Sequence, residues 1–148
     1  MILAIDPGSE KSAVVEWDGK QIISHDIKEN VDCFWFTDPR TIVVIEMVAS
    51  YGMPVGKEVF ETCVWIGRFL EYFHSHDLMA ERIYRKDVKM HLCGSMKAKD
   101  SNIRQALIDR LGVPGTKKAP GVTYEIKADE WQALALAVTF FDTMVKET

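Results

Sequence analysis

Asp6 and Glu46 are the first residues equipped for chemistry, because each closes a short apolar run, "ILAID" at 2–6 and "TIVVIE" at 41–46. A carboxylate at the end of a buried strand is costly unless it is partnered or exposed at a site that uses its charge. Pro7, Gly8 and Ser9 follow Asp6 at once and predict a turn that leads the backbone away from its carboxylate. A second pair of acids, Asp129 and Glu130, stands where a loop gives way to "WQALALAV". Acids in a first helical turn answer the helix dipole, and that ordinary reading holds for either one alone. Two strand ends and a helix start can nevertheless converge, and carboxylates that close repel strongly unless divalent cations lie among them. Oxygen ligands suit Mg²⁺, with Mn²⁺ as a substitute, and paired ions about 4 Å apart serve in-line phosphodiester hydrolysis. One ion activates the attacking water and the other stabilises the leaving 3′ oxygen. The sequence offers no nucleophile-and-base arrangement of Ser, Cys or His, and this chemistry needs none.

The elements that must position these acids fit one domain over 1–148, since a chain of 148 residues with 47% hydrophobic content supports a single core. No apolar run is long enough for a bilayer and no signal-peptide pattern opens the chain, so a soluble cytoplasmic protein without a membrane role is expected. Cys33, Cys63 and Cys93 lie thirty residues apart with no CxxC pair and read as reduced thiols. "DPGSEK" separates the first two apolar runs, and "DG" at 18–19 precedes "KQIISHDI", which predicts three antiparallel strands joined by tight turns. "TIVVIE" is a fourth strand and "RIYR" at 82–85 a fifth. Residues 57–76 carry a helical pattern in Val59, Cys63, Ile66, Leu70 and Phe73, with Phe60, Val64, Trp65 and Phe69 adding apolar surface for the sheet and a second subunit. Further helices are expected over 99–112, between Asp100 or Ser101 and Gly112, and over 128–146, with Trp131, Leu134, Ala135, Val138, Phe141 and Val145 on the buried stripe. The result is an α/β fold, a mixed five-stranded sheet with helices on both faces.

The net charge of −4 conceals a segregated distribution. Residues 1–80 hold 6 Lys/Arg against 13 Asp/Glu, residues 81–118 hold 10 against 4, and residues 119–148 hold 2 against 5. Charge alone leaves two readings of the basic middle, a solvated helix face or a phosphate-binding flank beside a carboxylate-lined pocket. Lys86, Lys89, Lys97 and Lys99 are the candidate phosphate contacts. His74 and His76, two apart on a helix, share no face, and His25 and His91 are isolated. Trp17, Trp35 and Trp65 read as core, and Trp131 adjoins the candidate site.

Taken in order, "ILAIDPGSEKSAVV", "VVIEMV" and "DEWQALALAV" resemble the RuvC-type Holliday junction resolvases (crossover junction endodeoxyribonucleases) of the RNase H-like, or retroviral integrase, superfamily, in its compact phage-like branch. "YRKDVKMHLCGSMKAKDSNIRQAL" is similar to the family's basic segment, with Val88-Lys89, Gly94 and Lys99 at the matching places. The resemblance spans nearly the whole chain and implies an RNase H-like fold. It also implies a homodimeric, Mg²⁺-dependent endonuclease whose two sites nick opposite strands of four-way or branched DNA, in recombination and repair. Asp6 and Glu46 match the family's first two metal ligands, and Asp129 matches its penultimate functional position. Gln132 stands where a final acid is usual; three residues after Asp129, it shares that helix face and can offer its amide oxygen as a neutral ligand. Glu130 is the alternative if the helix begins differently. Tyr51 is the nearest candidate for the family's junction-stacking aromatic. Two further readings stay open: a catalytically weak or inactive junction-DNA-binding protein of the same fold, and an RNase H-type nuclease. An actin-like or sugar-kinase phosphate loop at "DPGS" would need a second lobe and a second glycine-rich motif, and the chain has neither.

Overall fold

Ile2–Asp6, Lys11–Trp17, Ile22–Glu29, Ile42–Met47 and Met79–Tyr84 form strands β1 to β5 of one sheet in the order β3-β2-β1-β4-β5; the central β1 and β4 are continuous apolar runs because both their faces are buried. The computed structural model describes residues 1–34 and 38–147, with the side chains of 146 and 147 outside that description, as is Trp35. β1, β2 and β3 pair antiparallel, whereas β4 runs parallel to β1 and β5 parallel to β4. This is the expected mixed sheet. The turn at Asp18-Gly19 is closed by the Asp18 carboxylate, which accepts from Lys20 N and Gln21 N. A 3₁₀ turn over Asn30–Cys33 follows β3.

Four helices cover the sheet: α1 (Lys57–Ser75), α2 (Arg85–Cys93), α3 (Asp100–Leu111) and α4 (Glu130–Glu147). Leu3, Ile5, Val43 and Ile45 face α1, through Ile66, Phe69 and Phe73. Ile2, Ala4 and Val44 face the other way, onto Val88 of α2, Ile103 and Leu107 of α3, and the apolar length of α4. Helices on both faces are therefore what the structure has. Among the described residues no helix is long and apolar enough to cross a membrane. The three cysteines are free, and burial pushes the Cys33 thiol up to about 11.

Three details depart from the sequence reading. The fifth strand begins at Met79 and ends at Tyr84, so that Arg85 opens α2 instead of closing the strand. The buried line of α1 is Thr62, Ile66, Phe69 and Phe73, while Phe60 (61% exposed) and Val64 (57%) project outward. Helix α4 is buried from Glu130 to Phe140 on every side, not along one stripe, because α2 and α3 cover the face that the sheet leaves open; Val145 is exposed beyond them.

One ion cluster fastens those three helices. Asp142 of α4 accepts from both terminal nitrogens of Arg110 in α3 (2.5 and 2.7 Å) and lies 2.6 Å from His91 Nε2 in α2. The Arg110 hydrogen bonds, then that of His91, hold the Asp142 carboxyl below its ordinary range. A depressed carboxyl stabilises the fold above its unfolded pKa of about 3.9 and loses that contribution as pH falls through the lower folded value. Asp142→Asn is therefore expected to lower stability by about 1 kcal/mol at pH 7, allowing for partial exposure. Denaturant melts of the two proteins should converge once the pH falls below the lowered folded value, where both carry an uncharged side chain.

Candidate functional site

The parallel register Ile5↔Ile45 sets Asp6 and Glu46, each one residue further on, side by side at the ends of β1 and β4. Period two then decides the face: both continue the rows Ile2-Ala4 and Ile42-Val44, which point to the α4 side. Glu46 is 7% exposed, and Asp6 is close enough to hydrogen-bond its carboxyl. Burial first, then the charge of Glu46, raises the Asp6 carboxyl well above the usual carboxylate range. The turn after Asp6 is locked by a ring of side chains. Gly8 N donates to Ser12 Oγ (3.3 Å), Ser12 Oγ to Asn30 Oδ1 (2.5 Å), and Asn30 Nδ2 back to the Gly8 carbonyl (2.9 Å). A Cβ at Gly8 would collide with the Lys11 carbonyl.

Arg85 enters this pair. Its Nε donates to Glu46 Oε1 at 2.5 Å and a terminal nitrogen to Oε2 at 3.4 Å, with Asp6 Oδ1 at 3.7 Å and Asp100 Oδ1 at 3.6 Å. Burial works against its charge, but the hydrogen bond and charge of Glu46, with Asp6 and Asp100, push the guanidinium pKa up. Sequence reasoning left Arg85 out of the site. Arg85 opens α2 directly after β5, which pairs in parallel with β4, and that pairing brings it beside Glu46.

The three α4 candidates separate. Asp129 is exposed in the turn before the helix, near enough to Asp6 to bear on its charge. Its carbonyl accepts from Gln132 N and Ala133 N, and Ala128 before it sits at φ 48°, a left-handed conformation strained for alanine. Glu130 is 1% exposed and committed elsewhere: Oε1 accepts from Lys127 N (2.9 Å) and Oε2 lies 3.1 Å from His25 Nδ1 on β3. Its carboxylate thus ties the helix start to the sheet. Gln132 is buried and lines a cavity of about 570 Å³ with Asp129, Asp100, Arg104 and Trp131, where the Arg104 guanidinium lies 5.0 Å from the Trp131 ring centroid.

Two further cavities meet at Arg85 and Tyr51. One, of about 280 Å³, is lined by Asp6, Pro7, Glu46 and Val59 with those two residues. The other, of about 420 Å³, is lined by Lys86, Lys89 and Met96 with the same two. Tyr51, 60% exposed and at φ 51°, therefore stands at the mouth of both. The four candidate lysines divide: Lys86 and Lys89 reach this junction, Lys97 lines a separate groove with Ser95 and Asn102, and Lys99 precedes α3, its backbone N donating to Asn102 Oδ1.

Among the described residues no three His, Cys, Asp or Glu side chains come together as a metal-holding group. Asp6 and Glu46 face each other with Arg85 on Glu46, Asp129 lies near Asp6 in the exposed turn before α4, and Glu130 bonds instead to Lys127 N and His25. A facing, all-oxygen pair has the chemistry of a single hard divalent cation that keeps several waters.

No protein-family model matches the chain, and no curated protein matches it by sequence. Solved structures do match. A Thermus thermophilus RuvC structure superposes with a TM-score of 0.65 at 18% identity, covering 97% of this chain and 96% of that one. T. thermophilus RuvC in complex with Holliday junction substrate gives 0.65 at 16% identity, covering 97% and 95%. The chain has the RuvC fold, which is RNase H-like.

The raised Asp6 carboxyl makes a prediction about stability. A group that keeps its proton to higher pH when folded costs stability as pH rises from its unfolded pKa toward the folded one. Asp6→Asn is expected to be more stable than the parent at pH 7. The difference should shrink to nothing in acid, where both side chains are neutral; thermal melts across pH measure it.

Proposed function

We propose that this chain, carrying the RuvC fold, is a metal-dependent endonuclease that resolves Holliday junctions or other branched DNA by phosphodiester hydrolysis. The observation that carries this reading is the juxtaposition of Asp6 and Glu46 at the ends of adjacent parallel strands, on the face where α4 brings Asp129 near Asp6. These residues would hold Mg²⁺ or Mn²⁺, with the Gln132 amide as a neutral neighbour. A bound ion would supply Lewis-acid activation of a water and charge neutralisation at the phosphate.

The chain's own residues supply the rest. Lys86 and Lys89, beside the acidic cavity, offer positive charge to a DNA backbone, and Tyr51 offers a ring at the mouth of both cavities. Residues 81–118 hold 10 Lys/Arg against 4 Asp/Glu, so this segment carries the chain's excess of positive charge. Phe60 and Val64, four apart and outward on α1, support a homodimer in which a second copy covers them. Two such sites would nick opposite strands.

A second reading is favoured by the Glu46–Arg85 pair and by Gln132. With Glu46 paired to Arg85 and an amide at position 132, a protein of this shape would bind junctions without cutting them.

The assay that separates these readings offers a synthetic four-way junction, a fork and an RNA–DNA hybrid with Mg²⁺ or with EDTA. Symmetric Mg²⁺-dependent nicking of the junction is expected, reduced to background in Asp6→Asn while junction binding is retained. Absence of nicking alongside tight junction binding would establish the second reading, and preference for the hybrid would make the protein an RNase H. Lys89→Ala should weaken junction binding and lower the slope of log K against log salt by about one unit.

A further inference from the structure

Arg85 is the cation hydrogen-bonded to Glu46, and it lies between the buried acids and an exposed one. On the inner side its guanidinium meets Glu46 at 2.5 Å and Asp6 at 3.7 Å, both largely buried; on the outer side it meets Asp100 at 3.6 Å, whose side chain is 62% exposed. The Arg85 side chain is itself 34% exposed and lines both the acidic cavity and the lysine-lined cavity beside it. Arg85 opens α2, and Lys89 lies four residues along, on the same helix face. The guanidinium thus stands where the acidic cavity and the lysine-lined cavity meet.

Charge decides which side it takes. With no cation between Asp6 and Glu46, the buried carboxylates hold the guanidinium by a charge-assisted hydrogen bond. A divalent cation there would neutralise the same carboxylates and repel the guanidinium. A DNA phosphate in the lysine-lined cavity would attract it, and an arginine fork matches phosphate oxygens two at a time.

We infer that Arg85 is a displaceable internal counter-ion, which closes the Asp6–Glu46 pair while that pair holds no divalent cation and moves beside Lys86 and Lys89 to grip a DNA phosphate when one binds. This rests on the reading of that pair as a cation site. Cation and DNA then strengthen one another through one side chain, and by linkage the strengthening is equal in both directions. Arg85 also guards the folded protein against the repulsion of two unneutralised carboxylates.

Two measurements test the inference. Calorimetric titration with Ca²⁺ or Mn²⁺, without DNA, should show Arg85→Met binding the ion about tenfold more tightly than the parent. Binding of a synthetic four-way junction should weaken about tenfold in Arg85→Met with Ca²⁺ present, with the salt slope smaller by about one, and should be unchanged in EDTA. Equal losses in Ca²⁺ and EDTA would mark Arg85 as an ordinary phosphate contact and overturn the switch, as would no loss in Ca²⁺. If Arg85→Met does not fold, Arg85→Lys keeps the charge without the fork; it should bind Ca²⁺ more tightly than the parent, and unchanged or weaker binding overturns the inference. The two readings fail distinguishably. A parent protein that takes up neither ion ends both, whereas one that binds the ion and nicks junctions, with Arg85→Met no tighter for the ion, ends only the role of Arg85.

Discussion

Two carboxylates brought face to face at the edge of an apolar sheet are the constraint on which this structure turns. Each loses solvation by burial and repels the other, and neither cost is recovered by packing. The protein answers locally. Arg85 supplies a guanidinium to Glu46 from the first residue of α2, with Asp6 within 3.7 Å. The ring of Gly8, Ser12 and Asn30 keeps the turn after Asp6 from relaxing away from its neighbour.

Holding such a pair in place requires rigidity on both sides of the sheet. β1 and β4 are central strands, buried on one face by α1 and on the other by α4. Helix α4 is covered all round through Phe140, so its position is set by α2, α3 and the sheet together. The Asp142 cluster draws the same three helices together at the far end. At the near end, Glu130 binds Lys127 N and His25, which anchors the first turn to β3 and leaves Asp129 projecting beside it. The acid adjacent to a candidate functional residue is thus a structural fastening, and the strained Ala128 is part of the same turn.

Much of this was legible in the sequence, for identifiable reasons. Asp6 and Glu46 each end a short apolar run, and the "DG" hairpin and helix punctuation are local signals, so the sheet and helices follow from short windows. Asp129 and Glu130 could not be told apart, because adjacent acids at a helix start look alike until the neighbouring strand is known, and His25 is distant in sequence. Arg85 was hidden by its company. Within a basic segment a single arginine reads as one more surface charge, and only the parallel pairing of β5 with β4 reveals that it points at carboxylates. The burial of α4 on all sides escaped for a similar reason: one helix's periodicity reports its own stripe, not the helices stacked behind it.

Gln132 and Arg85 are best understood together. A neutral amide beside Asp129 and a guanidinium on Glu46 each make the charge of the region less negative than a full set of acids would. Fewer unneutralised acids lower the electrostatic cost of folding without a cation, a trade of site charge for stability. The same arrangement places the positive charge where the acidic and basic cavities meet, at the residue that lines both. In this chain the positions of Asp6 and Glu46 are set by the strands, whereas the guanidinium on Glu46 comes from a helix start. That asymmetry makes the counter-ion, not the acids, the adjustable part of the site.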